Sequence, residues 1–327
     1  MCSESLTPHR DTMSVERTIG FVGRDGNAAG GALRRCVAAL TVALAVPLAG
    51  CVHVAPPASA PPTADAALSR MHATFACGNA VQANAKIDHF GAQGRVRGDL
   101  MLFAARPDRL RMDVVSPFGV ALATLTSDGR HFELTDLKDK VFYEGPASAC
   151  NIARLTTVPV PGHVLVDLLR GEAPVLKHDA SAATIGWDSH GFWVLTVPST
   201  RGATEEIHLA PRPDDWTKPW EQQRMRVLDV RVSQQGYVLY HAALDEHAGA
   251  PTAGPRVDPD NIDPPIPPSG PVCDAEVPRR IHVEVPYPEA DVRFTTTQLT
   301  WNPPLPEGTF VQPPPQAMRV QQVSCDE

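Results

Sequence analysis

Apolar and polar residues alternate one by one through much of this chain. Within residues 109–114, Leu110, Met112 and Val114 alternate with charged residues, which is the pattern of a strand with one buried face. Turn residues interrupt such segments at intervals of about 8–12 positions, which predicts an antiparallel meander. The predicted strands are 95–105, 109–114, 120–126, 130–136, 140–144, 183–188, 192–198, 203–210, 224–233, 236–244, 279–286 and 291–301.

One segment has the spacing of a helix. Pro161 suits its first turn and Gly171 supplies a stop, and the apolar residues between them form one face: Val164, Leu165, Leu168 and Leu169. A short helical turn is also expected over 151–155. About twelve strands with one or two helices predict an antiparallel α+β domain in which a helix covers one face of the sheet.

Two segments show neither the alternation of a strand nor the spacing of a helix. Residues 52–66 are rich in Ala and Pro and carry one charge, which is typical of an extended tether; strands are expected from about Leu68 onward. Residues 245–278 are rich in proline, and we expect them to form a surface loop between two strands. A disulfide at Cys273 is expected to attach this loop to the domain near its end.

The first fifty residues have the composition of an export signal. Arg34 and Arg35 precede an uncharged run over 37–50 that ends at Cys51. The run is shorter than the roughly 20 residues of a membrane-spanning helix. We therefore predict cleavage before Cys51; an ordinary signal peptide with an incidental cysteine is the alternative.

The predicted cleavage defines the domains. Residues 1–50 are the signal peptide, residues 51–67 are a lipidated cysteine with its tether, and residues 68–327 are one domain that contains the insertion at 245–278. Leu48-Ala49-Gly50-Cys51 resembles the lipobox of bacterial lipoproteins, which implies acyl chains on Cys51, palmitate among them. Two or more acyl chains hold a protein stably on a membrane.

Charge excludes one class of partner. The chain has 29 basic and 37 acidic residues, and it lacks the cluster of Lys and Arg that nucleic acid requires. Membrane attachment is therefore expected through the N-terminal lipid.

Cysteine usage indicates an oxidising compartment. Beyond Cys51, an even number remains, which predicts two disulfides: Cys77, Cys150, Cys273 and Cys325. Three pairings are open, and we favour Cys77–Cys150 with Cys273–Cys325 because these would divide the chain into an early and a late half. A zinc site is disfavoured because the cysteines lack the close spacing that such sites use.

Enzyme signatures are missing from the sequence. It has no nucleophile elbow, no H-E-x-x-H and no phosphate-binding or dinucleotide-binding glycine motif. The histidines are scattered, so the sequence predicts no catalytic residue, no metal ligand and no cofactor. Arg97-Gly98-Asp99 is interpreted as a bend between strands. A hydrolase whose catalytic residues are dispersed remains a third hypothesis.

The strands carry more apolar side chains than one helical face would cover. A sheet curved around a helix can leave an apolar cavity, and a filled core of the same composition is the alternative. Under the cavity hypothesis the helix residues Val164, Leu165, Leu168 and Leu169 form the lid. The wall is then formed by Leu102, Leu110, Met112, Val114, Leu122, Trp193 and Leu195.

Phe118 stands in the turn "SPFG", where an apolar ring gains no core packing. This turn, the strands around it and "VPVPGHVLVDLLRGEAP" resemble the LolA/LolB lipoprotein-carrier superfamily on the side of LolB, with Leu168 where that pattern has Trp. The resemblance implies an unclosed antiparallel half-barrel with an apolar cavity, and it implies that Phe118 inserts into membrane or cargo. The alternative is a ring that folds back onto its own sheet.

Two functions follow from this resemblance. The first is an outer-membrane lipoprotein, facing the periplasm of a Gram-negative bacterium, that binds lipoprotein acyl chains or another lipid or takes part in lipoprotein localisation. The second is a structural or assembly lipoprotein of the same fold, with a filled core and an envelope protein as its partner.

Overall fold

Antiparallel hairpins build most of the protein. A computed structural model describes residues 54–325 except residues 92, 93, 117, 261, 288 and 317. These residues form three α-helices, namely α1 (Ala64–Phe75), α2 (Ala149–Thr156) and α3 (Gly162–Arg170). The strands are β1 (Ala80–Gly91), β2 (Gly94–Ala105), β3 (Arg109–Val115), β4 (Ala121–Ser127), β5 (His131–Asp136), β6 (Val141–Pro146), β7 (Thr184–Trp187), β8 (Trp193–Pro198), β9 (Ala203–Pro211), β10 (Met225–Gln234), β11 (Tyr237–Asp245), β12 (Ala248–Gly249), β13 (Glu276–Val277), β14 (Arg280–Val285), β15 (Ala290–Trp301) and β16 (Arg319–Gln322).

Fourteen of these strands form one sheet in the order β16-β6-β5-β4-β3-β2-β1-β15-β14-β11-β10-β9-β8-β7. Its neighbours pair antiparallel except β16 and β6, which pair parallel. The order begins at β16 and ends at β7, so the sheet is unclosed. The predicted class, an antiparallel unclosed barrel with covering helices, is confirmed, with three helices rather than one or two.

Helix α3 occupies the predicted position. Pro161 is its N-cap and Gly171, with a φ of 84°, ends it. The backbone N–H of Gly171 donates to the carbonyl of Leu168, and the left-handed φ of this cap favours glycine. The apolar face of α3 packs against β1, β2 and β3, so this helix fills the centre of the sheet.

Helix α1 contradicts the predicted tether and the predicted start of the strands. Thr63 caps it by accepting a hydrogen bond from the backbone N–H of Ala66, and its buried face includes Leu68, Met71 and Phe75. The helical period of α1 is hidden in the sequence because its alanines give little contrast between the buried and the exposed face. The residues before it are also attached, since Ser59 Oγ accepts a hydrogen bond from the backbone N–H of Trp220 (3.0 Å).

A buried ionic network fixes α1 against α3. The guanidinium of Arg170 is fully buried and donates to the carbonyl of Gly78 (2.5 and 3.0 Å) and to Glu172 (3.0 Å). Burial opposes the charge of Glu172, but His72, Arg170 and Arg106 hold its pKa below the usual value. Burial and the nearby charge of Glu172 raise the pKa of Asp167 to about 6.

The predicted cysteines form two disulfides, but the favoured pairing is wrong. Cys77 pairs with Cys273 and Cys150 pairs with Cys325, with Cα–Cα distances of 5.0 and 6.4 Å. Each bond therefore joins the early part of the chain to the late part. The reason is the sheet order, in which β15 lies beside β1 and β16 lies beside β6.

The turns lie along two opposite edges of the sheet, one at each end of the strands, because successive strands run in opposite directions. We call one of them the Phe118 edge, and the register places there the turns that hold Phe118, Leu137, Thr200, Gly236 and Tyr287. We call the opposite one the Val54 edge. There the backbone N–H of Val54 donates to the carbonyl of Ser189 (3.0 Å), and Trp187 Nε1 donates to the carbonyl of Val54 (2.9 Å).

The proline-rich segment runs between β11 and β14 and starts from the Val54 edge. The short pair β12–β13 closes its base. Its apolar residues Val257, Ile262 and Val272 are exposed.

Candidate functional site

The turn between β3 and β4 presents the ring of Phe118 to solvent. The backbone N–H of Ser116 donates to the carbonyl of Val120 (2.8 Å), and that of Gly119 donates to the carbonyl of Ser116 (2.9 Å). Gly119 has a φ of 77°, a conformation that favours glycine. The side chain of Phe118 is 92% exposed, so it does not fold back onto its own sheet.

Other exposed apolar side chains accompany Phe118 on the same edge. The described residues expose thirteen large apolar side chains, and seven of them lie on or beside the Phe118 edge: Phe118, Val120, Leu122, Leu137, Tyr237, Leu239 and Tyr287. Tyr287 is exposed as fully as Phe118. Val120 and Leu122 follow Phe118 directly, and the backbone N–H of Leu137 donates to the carbonyl of Leu122 (3.1 Å), so these four residues are neighbours on this edge. Contiguous exposed apolar side chains are typical of a surface that contacts lipid or another protein.

An apolar cavity of about 270 Å³ lies inside the sheet near this edge. The strands contribute Ile87, Leu100, Met112, Val114 and Ala123 to its wall. The last residues of α2 cover one side, from Arg154 to Thr157. We call this cavity the inner pocket. It is larger than the apolar cavity of about 150 Å³ that accepts benzene, but smaller than most pockets for drug-sized ligands.

Helix α2 ends beside the inner pocket. Thr157 ends this helix with a φ of 59°, and its backbone N–H donates to the carbonyl of Ala153. A positive φ is unfavourable for a β-branched residue, and such a conformation persists only where surrounding contacts impose it.

Gly98 leaves room between the inner pocket and the outer face of the sheet. A second depression, of about 520 Å³, reaches Ser116 and Leu122 and shares Ile87, Gly98 and Val114 with the inner pocket. It therefore connects the pocket wall with the turn that holds Phe118. The interpretation of Arg97-Gly98-Asp99 as a bend is wrong, because these residues lie within β2.

Basic groups stand beside the apolar wall. His89, Arg97 and Arg154 line the inner pocket. Arg97 Nε donates to Asp88 (3.0 Å), and the Arg154 guanidinium lies 5.5 Å from the centre of the Tyr143 ring. The arrangement offers an apolar interior with the guanidinium groups of Arg97 and Arg154 next to it, which suits a ligand with an apolar chain and an anionic end.

The predicted wall and lid residues separate into three groups. Met112 and Val114 line the inner pocket, whereas Leu122 points to the outer depression and is 48% exposed. The others are buried in the packed core: Leu102, Leu110, Val164, Leu165, Leu168, Leu169, Trp193 and Leu195. The middle of the sheet is thus filled by α3.

Sequence reasoning missed most of the pocket wall. Ala123 belongs to the predicted strand 120–126, whereas Ile87 lies on β1, a strand that the sequence pattern did not predict. The sequence also did not predict where the covering helices end, so it could not show which strand residues face an unfilled space. Gly98 gave a usable signal, because a glycine within a strand often marks a close approach or an unfilled space. Cys51 and the predicted signal peptide lie outside the described residues.

A buried acid lies elsewhere, in the packed core. Glu205 of β9 faces inward with Ile207 and Leu209, and its carboxylate accepts from the backbone N–H of Leu176 (2.8 Å). Burial raises its pKa to about 8. Glu205 is thus a carboxylic acid at neutral pH, held inside an apolar region.

Among the described residues, no helix has the length and apolar character needed to cross a membrane.

The comparisons with known proteins give matches of fold. No protein-family model and no curated protein matches the sequence. The chain is similar to a solved LolA superfamily protein from Nitrosomonas europaea, with 11% identity, 76% of this chain and 98% of that chain covered, and a TM-score of 0.43. It is also similar to a DUF1329 family protein from Desulfovibrio piger, with 8% identity, 75% and 96% covered, and a TM-score of 0.46.

A third similar structure is a domain from Vibrio parahaemolyticus that is provisionally described as an outer membrane lipoprotein-sorting protein. It has 12% identity, 74% of this chain and 95% of that chain covered, and a TM-score of 0.42. Solved structures of the superfamily that the sequence resembles are therefore among those that this chain matches. The scores are too low to carry the role of any residue across.

Proposed function

We propose that this protein is a lipid-anchored envelope protein of a Gram-negative bacterium, placed in the outer membrane and facing the periplasm, that binds an acyl chain in the inner pocket. The chain enters across the Phe118 edge, from a lipoprotein or another lipid. The observation that carries the proposal is the inner pocket itself, an unfilled apolar cavity of about 270 Å³ with basic groups beside it.

The volume of the pocket limits the ligand. It offers room for part of one apolar chain, and the outer depression that shares Gly98 extends the path toward Phe118. Burying an apolar chain gains about 0.8 kcal/mol per CH₂. A short buried stretch therefore gives a reversible contact, which suits transfer better than storage.

The disulfides support export. Both join distant parts of the chain, Cys77 with Cys273 and Cys150 with Cys325. Structural disulfides form and persist in oxidising compartments such as the bacterial periplasm.

The position of Val54 favours cargo over the protein's own membrane as the contact of Phe118. Cys51 precedes Val54 by three residues, which span at most about 10 Å. Val54 is bound to the turn that holds Ser189, on the edge opposite to Phe118. If lipid is attached to Cys51, this short connection limits how far the Val54 edge can stand from the membrane. The proposal therefore has the Phe118 edge meet cargo that arrives from the periplasm.

A variant that fills the pocket tests the proposal. A Cβ on Gly98 would lie 3.6 Å from Val114 and 3.8 Å from Ile87, so Gly98→Leu fits at Cβ and its remaining atoms occupy the cavity. With the chain from residue 52, we expect a fluorescent fatty-acyl probe to bind saturably, and at least about tenfold more weakly to Gly98→Leu. The matched control is Gly186→Leu on β7, where no atom lies within 4 Å of the added Cβ; its affinity should equal that of the wild type.

A second variant tests the role of the Phe118 edge in uptake separately from binding in the inner pocket. Phe118→Glu should slow probe uptake from vesicles in stopped-flow fluorescence and leave the equilibrium affinity near the wild-type value. Equal affinity of wild type and Gly98→Leu would reject the pocket as the binding site. Unchanged uptake by Phe118→Glu would reject the role of the edge.

The exposed residues of the proline-rich segment favour one alternative, an assembly role with a protein partner. Ile262 and Val272 are 82% and 85% exposed. This alternative predicts no saturable binding of the acyl probe, and it predicts an envelope defect when Ile262 and Val272 are both replaced by Ser.

A further inference from the structure

A row of histidine and carboxylate side chains crosses the outer face of the sheet, away from the inner pocket. Along β14, Ile281, Val283 and Val285 are buried while His282 and Glu284 point outward. In the register, Asp291 of β15 lies directly across from Glu284. Three residues on two neighbouring strands therefore share one small area of the outer face.

The distances within this group are those of a metal site. His282 Nε2 lies 2.8 Å from Asp291 Oδ1 and 3.6 Å from Glu284 Oε1. One potential ligand atom from each of the three residues lies within 4.8 Å of the other two. Tetrahedral Zn²⁺ with bonds of about 2.0–2.1 Å places its ligand atoms about 3.3 Å apart, so small side-chain rotations would bring the three atoms around one ion.

His241 and Asp229 hold the carboxylate of Glu284 in place. His241 of β11 lies across from Glu284 on the other side. Its Nδ1 is 3.3 Å from Glu284 Oε2 and its Nε2 is 2.5 Å from Asp229 Oδ2. Hydrogen bonds of this kind to a ligating carboxylate orient it toward the metal, and their loss weakens metal affinity.

We propose that His282, Glu284 and Asp291 bind a divalent transition-metal ion of the Zn²⁺ class, with His241 and Asp229 as positioning residues. One nitrogen and two oxygen ligands suit Zn²⁺ better than Mg²⁺, which prefers oxygen ligands and retains much of its water. The side chains are between 21% and 49% exposed, so the ion would keep an open position for water or for a group from a partner. Arg293 Nε lies 3.7 Å from Asp291 Oδ1, so the ion would replace this cation as the charge partner of Asp291.

Calorimetric titration of the full chain with Zn²⁺, in detergent and after chelator treatment, tests this site. We expect one saturable site that Mg²⁺ does not fill. His282→Ala and Glu284→Gln should each weaken it at least about tenfold. Asp229→Asn should weaken it by a smaller factor, because Asp229 reaches the ligand Glu284 only through His241. Zn²⁺ should raise the thermal midpoint of the wild type more than that of His282→Ala.

A matched control lies elsewhere on the surface. His190 also pairs with a carboxylate, since its Nδ1 is 3.6 Å from Asp188, and His190→Ala should bind Zn²⁺ as the wild type does. His282→Gln, which keeps a polar side chain, serves if His282→Ala fails to fold. No saturable site in the wild type, or equal Zn²⁺ affinity in the wild type and the His282 variant, would overturn the proposal.

Discussion

The interior of the sheet differs between its middle and the end near Phe118, although the same strands line both. In the middle, Leu102 and Leu110 are 2% and 0% exposed because α3 packs on them. Near the Phe118 edge, Val114 and Ala123 are only half-buried and line the inner pocket. We call these the packed region and the open region. The difference shows that the length and position of the helices, rather than the apolar content of the strands, decide whether the sheet encloses a cavity.

The largest expected contrast compares the arginines near the ends of α3 and α2. Arg170→Met should destabilise the protein by about 3–5 kcal/mol, because it removes one partner of a buried ion pair and leaves Glu172 without its main charge partner. Arg154→Met should change the free energy of unfolding by less than about 1 kcal/mol, because Arg154 is exposed. Urea unfolding measures both values. Similar values for the two variants would contradict the division into a packed and an open region.

The next contrast compares leucines on the same two helices. Leu168 is fully buried in the core, and Leu168→Ala should cost about 2–5 kcal/mol through lost packing and a new cavity. Leu155 is half-buried beside an existing cavity, so Leu155→Ala should cost less than half as much. The midpoints of urea denaturation, at equal slopes, give both values. A larger loss for Leu155→Ala would show that the open region is packed in solution.

A smaller effect tests how well the packed region excludes charge. Because burial raises the pKa of Glu205 to about 8, the native state holds its proton where the unfolded chain has released it. The contribution of Glu205 is therefore fully present below its unfolded pKa, near 4.5, and stability is lost as the pH rises toward 8.

Replacement of Glu205 isolates its contribution to the free energy of unfolding. Glu205→Gln keeps an acceptor for the backbone N–H of Leu176 and cannot ionise. The stability of the wild type relative to Glu205→Gln should therefore decrease by more than about 1 kcal/mol between pH 5 and pH 9, since each unit of pKa shift corresponds to about 1.4 kcal/mol. Urea unfolding at several pH values measures the difference, and a constant difference would refute the assignment of a buried acid.

The alternating pattern predicted most strands of the large sheet, but it missed β1 and β16 and did not determine how the interior is filled. Strands such as 109–114 and the helix between Pro161 and Gly171 follow from local period and turn residues, and both are present. Helix α1 was missed because its alanines carry little contrast between faces. The cysteine pairing was missed because the placement of β15 beside β1 is a long-range choice that local patterns do not contain.

The candidate sites show the same limit. Phe118 could be selected from its turn alone, because an apolar ring among turn residues is conspicuous. The proposed metal ligands could not be predicted from the sequence, since His282 and Asp291 meet only through strand pairing. Only the alternate positions of His282 and Glu284 indicate one shared face. Residues that act together across strands require the register.

The most direct test of the open region is a titration of the chain from residue 52 with dodecanoate, followed by the methyl NMR signals of Ile, Leu and Val. We predict saturable shifts for Ile87, Val114 and Leu155, and none for Leu165, Leu168 and Leu195 in the packed region. Gly98→Leu should abolish these shifts. Shifts centred on Leu168 and Leu195, or no saturable shift at any of these methyl groups, would contradict the account.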